Sequence, residues 1–330
     1  MSEAKFNVGT APLGILERSL TENIFVANNL AYMNEGDKDG YNVYKHDLSS
    51  VLKAFSNNPM EGATNSLQKN NFRRHLTILE VAESFLPSDY HGYWREFQPT
   101  GNFQWESLPA QVQASIENLI LGSTAEAVEE VLTNGDSGLK ITGLIPQLLS
   151  SAYTELQGAS PTSTQIANNT AIAYRRHKGS TTSATEITAD NIFEILEELI
   201  AGQTKSMRKR QNKKFMISNY AADVLKKAQR TKLDYKGVDV TEAGVLRYGG
   251  YDLIENPSFA NSDILFASMS GDMKTDAIQL GTSLSSDYNN LEVDRVGNFG
   301  RAWGMALTFA LDIFVVRPEE VCFYTTKEII

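Results

Sequence analysis

The chain has 330 residues, enough for one large domain or two ordinary ones, and its 42% hydrophobic content supports a sizeable core. It contains no run of eighteen apolar residues, so no helix is expected to cross a membrane. The net charge of −10 argues against a surface that wraps nucleic acid throughout, while leaving room for a local basic patch.

Residues 1–70 read as an N-terminal arm, in which short apolar pieces alternate with polar loops. Thr21–Tyr32 and His46–Phe55 are predicted as short helices, and MNEGDKDGYN at 33–42 as a loop. The start, MSEAKFNVGT, lacks the basic and apolar regions of a signal peptide. Residues 71–106 form the expected extended loop and entry to the next layer. RRHLTILEV at 73–81 reads as a strand with apolar residues on both faces. Tyr90, Tyr93, Trp94, Phe97, Phe103 and Trp105 then crowd together. Such a platform can stack bases, but Arg95 is the only basic residue among them, and packing against protein is the better reading.

Residues 107–133 are predicted as one long helix. Val112, Ile116, Leu119, Ile120, Val128, Val131 and Leu132 recur mostly in steps of three and four. Pro109 suits its first turn, and Asn134-Gly135 supplies a left-handed stop. Gly122 is its weak point, where a bend is expected.

Residues 134–290 read as a compact inserted α/β domain. Gly143–Ala152 reads as a short helix or turn, and two further helices are predicted, one capped by Thr188 and ended by Gly202, and one capped by Asn219. Its predicted strands are Thr170–Tyr174, the apolar run FMIS, Tyr251–Glu255, Ile264–Ala267 and Ala277–Leu280. The basic run Lys205–Lys214 carries six positive charges in ten residues and reads as a loop. It can meet phosphates, or an acidic surface on a neighbouring copy.

Residues 291–330 close the chain. Between Arg301 and Arg317, Trp303, Met305, Leu307, Phe309, Leu311, Ile313 and Val315 alternate with mostly small residues. The alternation predicts one strand of about fifteen residues, far beyond the usual five or six. Its large face is expected to cover the long helix, and its small face to leave room for another chain. Residues 107–133 and the last forty would then form an elongated helix-on-sheet layer.

Catalytic signals are sparse, and no catalytic, cofactor-binding or metal-ligating residue is assigned. Gly135-Asp136-Ser137-Gly138 looks like the nucleophile loop of chymotrypsin-type proteases, but a glycine-rich helix stop explains it. Gly202-Gln203-Thr204-Lys205 lacks the glycine spacing of a phosphate-binding loop. His46, His75, His91 and His177 are scattered without metal-ligand spacing. Cys322, the single cysteine, fits a reducing cytoplasm and reads as a core residue.

In order, these elements resemble the major capsid protein of tailed bacteriophages, whose fold encapsulin shells share. The resemblance is carried by WREFQPTGNFQWESLP, GLIPQLL, TADNIFEILEELI, FMISNYAADVL, YGGYDLIENP, DILFAS and GRAWGMALTFALDIFVVRPEEV, collinear over nearly the whole chain. It implies an α+β fold: an arm (1–70), an extended loop (71–106), a spine helix (107–133) packed on long strands in a peripheral domain, an inserted axial α/β domain (134–290), and return strands (291–330). It further implies hexamers and pentamers of this chain in an icosahedral shell around double-stranded DNA. The shell would be assembled in a host cytoplasm and carried in a virion. Separate scaffolding, portal and decoration proteins are possible partners, and packaged DNA would be touched weakly if at all. An encapsulin-like compartment is the alternative, ahead of an α/β enzyme or a DNA-binding protein.

Overall fold

The computed structural model of the chain describes residues 23–36, 40–48, 67–85, 110–231, 238–240, 246–273, 275–283, 290–296 and 302–330. Its first elements are α1 (Ile24–Ala27), β1 (Tyr32–Gly36), β2 (Tyr41–Leu48), β3 (Leu67–Arg74) and β4 (Thr77–Phe85). Helices α2 (Ala110–Asn134) and α3 (Leu144–Leu148) follow, then β5 (Thr154–Glu155), α4 (Ser163–Asn168), β6 (Ala171–Ile172) and β7 (Tyr174–Arg176). Next come α5 (Ile192–Ala201), α6 (Lys205–Lys209), β8 (Lys213–Ser218), α7 (Asn219–Thr231), β9 (Val238–Val240), β10 (Leu246–Tyr248), β11 (Tyr251–Asn256) and β12 (Ile264–Ser268). The chain closes with β13 (Ile278–Ser283), β14 (Asn290–Val296), β15 (Ala302–Val315) and β16 (Val321–Tyr324).

The 14-residue β15 organises the first sheet, and its length matches the alternation in the sequence. Along one edge it pairs antiparallel with β13 and then β14; along the other it pairs with β4, from Thr77↔Leu311 to Phe85↔Trp303. β1 adds in parallel outside β13. The odd face of β15, Met305 to Val315, is buried. Leu307 through Val315 of that face share a core with Val128 and Leu132 of α2 and with Leu144, Ile145 and Leu148 of α3.

Helix α2 is continuous through Gly122, where the sequence pattern suggests a bend. It stops at Gly135, whose φ of +72° is the left-handed conformation that glycine adopts without a steric cost. The helix does not lie on β15 alone, because α3 packs against both. Gln147 of α3 takes the place of a strand on the β15 edge beyond β4. Its Nε2 donates to the Ile313 carbonyl at 2.7 Å, and its Oε1 accepts from the Val315 N–H at 3.2 Å.

The second sheet has seven strands in the order β7-β16-β12-β8-β11-β10-β9. Phe215, Ile217, Ile264, Phe266, Cys322 and Tyr324 face a core built with α5 and α7. Met216, Leu265, Ala267, Val321 and Phe323 point the other way, into the core shared with β15. Burial on both faces accounts for the unbroken apolar runs of these strands. The two sheets also exchange strands across chain order. β13, from the stretch read as the inserted domain, belongs to the β15 sheet, and β16, from the closing stretch, belongs to the seven-stranded sheet. Periodicity marks a strand as buried but does not say which strand it pairs with.

Local expectations are corrected in several places. His46, Asp47 and Leu48 lie in β2, not a helix, paired to β3 through Leu48↔Leu67. Here Tyr41, Val43 and Lys45 are buried and Asn42 and Tyr44 exposed, a period of two. Met33–Gly36 is a strand rather than loop because β13 satisfies its backbone. RRHLTILEV breaks at His75-Leu76 between β3 and β4, and the strand expected at Thr170–Tyr174 is split into β6 and β7. The helix expected from Thr188 begins at Ile192, after a turn in which the Thr188 carbonyl accepts from Asn191 and Ile192. Ser218 Oγ, not Asn219, caps α7 by accepting from the Ala221 N–H. The basic run starts as a helical turn, α6, whose N-cap is Thr204. The aromatic stretch 90–105 and the remainder of the predicted helix, 49–55, lie outside the described residues.

Candidate assembly surface

The β2–β3 hairpin rests on the small-residue face of β15 and is fastened mainly by charge. Asp312 accepts from Tyr41 Oη at 2.9 Å and from Arg74 Nε and Nη2, both at 3.0 Å. A paired, two-point guanidinium contact of this kind fixes orientation as well as distance. The same guanidinium sits 4.7 Å from the centre of the Phe314 ring. Lys45, 0% exposed, donates to Glu319 Oε2 at 2.8 Å and to Asn169 Oδ1 at 3.4 Å. The apolar support is a small separate cluster of Tyr41, Val43 and Val316, flanked by Phe72, Leu76 and Phe314. Gly281 makes this approach possible, since a Cβ there would lie 2.2 Å from Tyr41 Cε1.

The small face of β15 is therefore occupied at its C-terminal end by the protein's own hairpin. Toward its N-terminal end Gly304, Ala306 and Thr308 are only partly covered. Beside them on β4, Ile78 is 56% exposed and Glu80, Ala82 and Ser84 are exposed. Ala306 pairs with Ala82 and Ala310 with Ile78, so among the described residues this part of the sheet presents mostly small side chains.

Glu319 and Glu320 form a buried one-turn helix with Pro318 where the chain passes from β15 to β16. Each carboxylate meets a cation from a different part: Lys45 of the hairpin for Glu319, and Arg210 of the basic run, at 3.0 and 3.1 Å, for Glu320. Burial pushes the Glu320 carboxyl above its ordinary range, against the opposing pull of Arg210.

Much of the basic run is thus spent inside the subunit. Besides Arg210, Lys213 donates to Gln203 Oε1 at 2.8 Å, and Lys214 to the Asn28 carbonyl at 2.7 Å. Arg208 reaches the Ala201 carbonyl at 3.2 Å and remains exposed, as do Lys205 and Lys209. A second exposed charged stripe lies on α2, where Glu126 and Glu130 are exposed and Glu129 half-buried. These three carboxylates border a cavity of about 730 Å³ that Pro257 and Ser258 also line. Sequence reading left this stripe unremarked, although three glutamates without a lysine or arginine on the helix were its signal.

No catalytic constellation emerges among the described residues. The Gly135–Gly138 loop is a turn in which Asp136 Oδ1 accepts the Gly138 and Leu139 N–H groups. His177 is buried with Nδ1 2.7 Å from the Lys178 carbonyl, and His75 is exposed far along the chain in the β3–β4 break. The side chain of His46 and all of His91 lie outside the described residues. No group of three or more metal-type ligands occurs among the described residues. Cys322 is fully buried with Sγ 3.8 Å from Met207 Sδ, and burial raises its thiol pKa. A thiol reagent at pH 8 will label it at least ~100-fold more slowly in the native chain than in urea; equal rates would contradict this burial.

No protein-family model and no curated protein matches the sequence. Solved structures do. The capsid subunit of an empty GTA particle aligns over 91% of this chain and 95% of its own, with a TM-score of 0.57 at 12% identity. The capsid subunit of cyanophage A-1(L) aligns over 92% and 93%, with a TM-score of 0.55 at 11% identity. An encapsulin from Synechococcus elongatus aligns over 99% and 93%, with a TM-score of 0.50 at 12% identity. The chain has the α+β fold of phage major capsid proteins and encapsulin shells.

Proposed function

We propose that this chain is the structural subunit of a closed icosahedral shell, the capsid of a tailed bacteriophage enclosing its double-stranded DNA. The observation that carries the reading is the shared fold, which spans more than nine-tenths of this chain and of the GTA capsid subunit. The partly bare sheet formed by β4 and the N-terminal half of β15 supports it, since neighbouring copies would cover that face.

In this reading other copies are the main partner, arranged in hexamers and pentamers. The inserted part, residues 134–290 without β13, lines their centres together with β16, and the β15 layer meets at the local threefold axes. The chain performs no chemistry. It assembles in a host cytoplasm and resides in the virion, with scaffolding, portal and decoration proteins as separate partners. Packaged DNA meets few of the Lys205–Lys214 cations, because Arg210, Lys213 and Lys214 hold acceptors within the subunit. An encapsulin-like compartment is the second reading, and the Synechococcus likeness is what favours it. The test is sedimentation of the purified chain, alone and with a co-expressed scaffold. The reading expects particles of many copies; a 36.5 kDa species under every condition overturns it.

A further inference from the structure

We propose that the acidic stripe of α2 in one copy receives the cationic turn α6 of another. This rests on the shell reading above and names one contact within it.

The match is one of spacing. Glu126, Glu129 and Glu130 stand at i, i+3 and i+4, and so do Lys205, Arg208 and Lys209. On a helix these positions share one face, with neighbouring Cβ atoms about 5–6 Å apart. Three carboxylates on one side therefore meet three cations on the other with the same repeat.

The helix that carries the acidic stripe supplies no cation. Residues 110–134 contain four glutamates and neither lysine nor arginine, so pairing along the helix is not available. Its side-chain hydrogen-bond partners among the described residues are neutral: Asn134 Nδ2 donates to Glu130 at 2.8 Å and Ser258 Oγ to Glu129 at 3.3 Å. Like charges at these spacings destabilise a helix, and a facing cation relieves that repulsion. Among the described residues nothing lies within 4 Å of where a Cβ at Gly122, on the rim of the groove, would stand.

The cationic turn is rigidly presented. Met207 on its inner side is fully buried. Thr204 Oγ1 donates to the Glu319 carbonyl at 2.7 Å, and Arg210 holds Glu320, so the turn is pinned to the junction between the sheets. No ion pair among the described residues joins this turn to α2. One patch meets a different patch on the next copy, which is a head-to-tail contact and so propagates into rings or open arrays.

The experiment uses the full chain under conditions where it assembles. Lys205→Glu with Lys209→Glu makes both patches acidic; Glu126→Lys with Glu130→Lys makes both basic. All four residues are exposed, and circular dichroism checks that each variant folds. Each variant alone should need a roughly tenfold or greater concentration to assemble, since two attractions become repulsions. A single chain carrying all four changes restores opposite charges at every such contact and should assemble near the unaltered chain's threshold. For the unaltered chain, raising salt should raise the assembly threshold. Wild-type assembly by either reversed variant overturns this contact and leaves the shell reading standing. So does failure of the folded four-change chain to assemble. Normal assembly by Lys205→Glu/Lys209→Glu together with lost salt-dependent binding of duplex DNA would give the turn to nucleic acid and overturn the contact. An unaltered chain that never assembles removes the shell reading and this contact together.

Discussion

Replacing Lys45 by methionine will lower the stability of the β2–β3 hairpin by about 3–5 kcal/mol, because it strands the Glu319 carboxylate in a buried site. The Lys45 side chain is wholly inaccessible, and its 2.8 Å contact with Glu319 neutralises a carboxylate whose side chain is only 6% exposed. Removing one partner leaves the desolvation cost of the other without its compensating attraction. Changing both, Lys45→Met with Glu319→Gln, should recover most of the loss, since neither partner then leaves a buried charge unpaired. Hydrogen exchange reads the effect locally. Protection of 41–48 and 67–74 should fall sharply in the single variant while β8 and β12 keep theirs. A single variant within about 1 kcal/mol of the parent would contradict the pair's role as the hairpin's fastening.

Phe323→Ala is the second large effect, expected at about 3–5 kcal/mol of global stability in urea titrations. Phe323 is fully buried on β16, on the face turned toward the β15 layer, while its neighbours Cys322 and Tyr324 face α5 and α7. The cavity therefore opens between the two sheets, where Val315, Leu280 and Leu148 also pack and cannot all shift to fill it. Cys322→Ala, on the other face, removes much less volume and should cost a fraction of this. Equal losses for the two would place the junction elsewhere.

What the residues disclosed in advance follows from how strongly each pattern is repeated. β15 alternates without a break over its full length, and α2 carries its apolar steps to an Asn-Gly stop, so both were legible. The hairpin was not. Lys45 and Asp312 are polar residues at inward positions, and only their partners from 274 and 238 residues away make those positions inward. β1 was hidden because MNEG has little strand propensity and is held by its pairing to β13. The cations of Lys205–Lys214 looked equivalent in sequence, yet burial and three separate acceptors divide them into anchored and exposed sets.

The central claim is that one copy of this chain is a tile. Electron cryomicroscopy of particles formed by the purified chain tests it most directly. The account predicts closed shells one subunit thick, into whose density the β15 layer and the seven-stranded sheet fit together as they stand here. Open aggregates without symmetry, or a wall that these two sheets cannot occupy as one body, would contradict it.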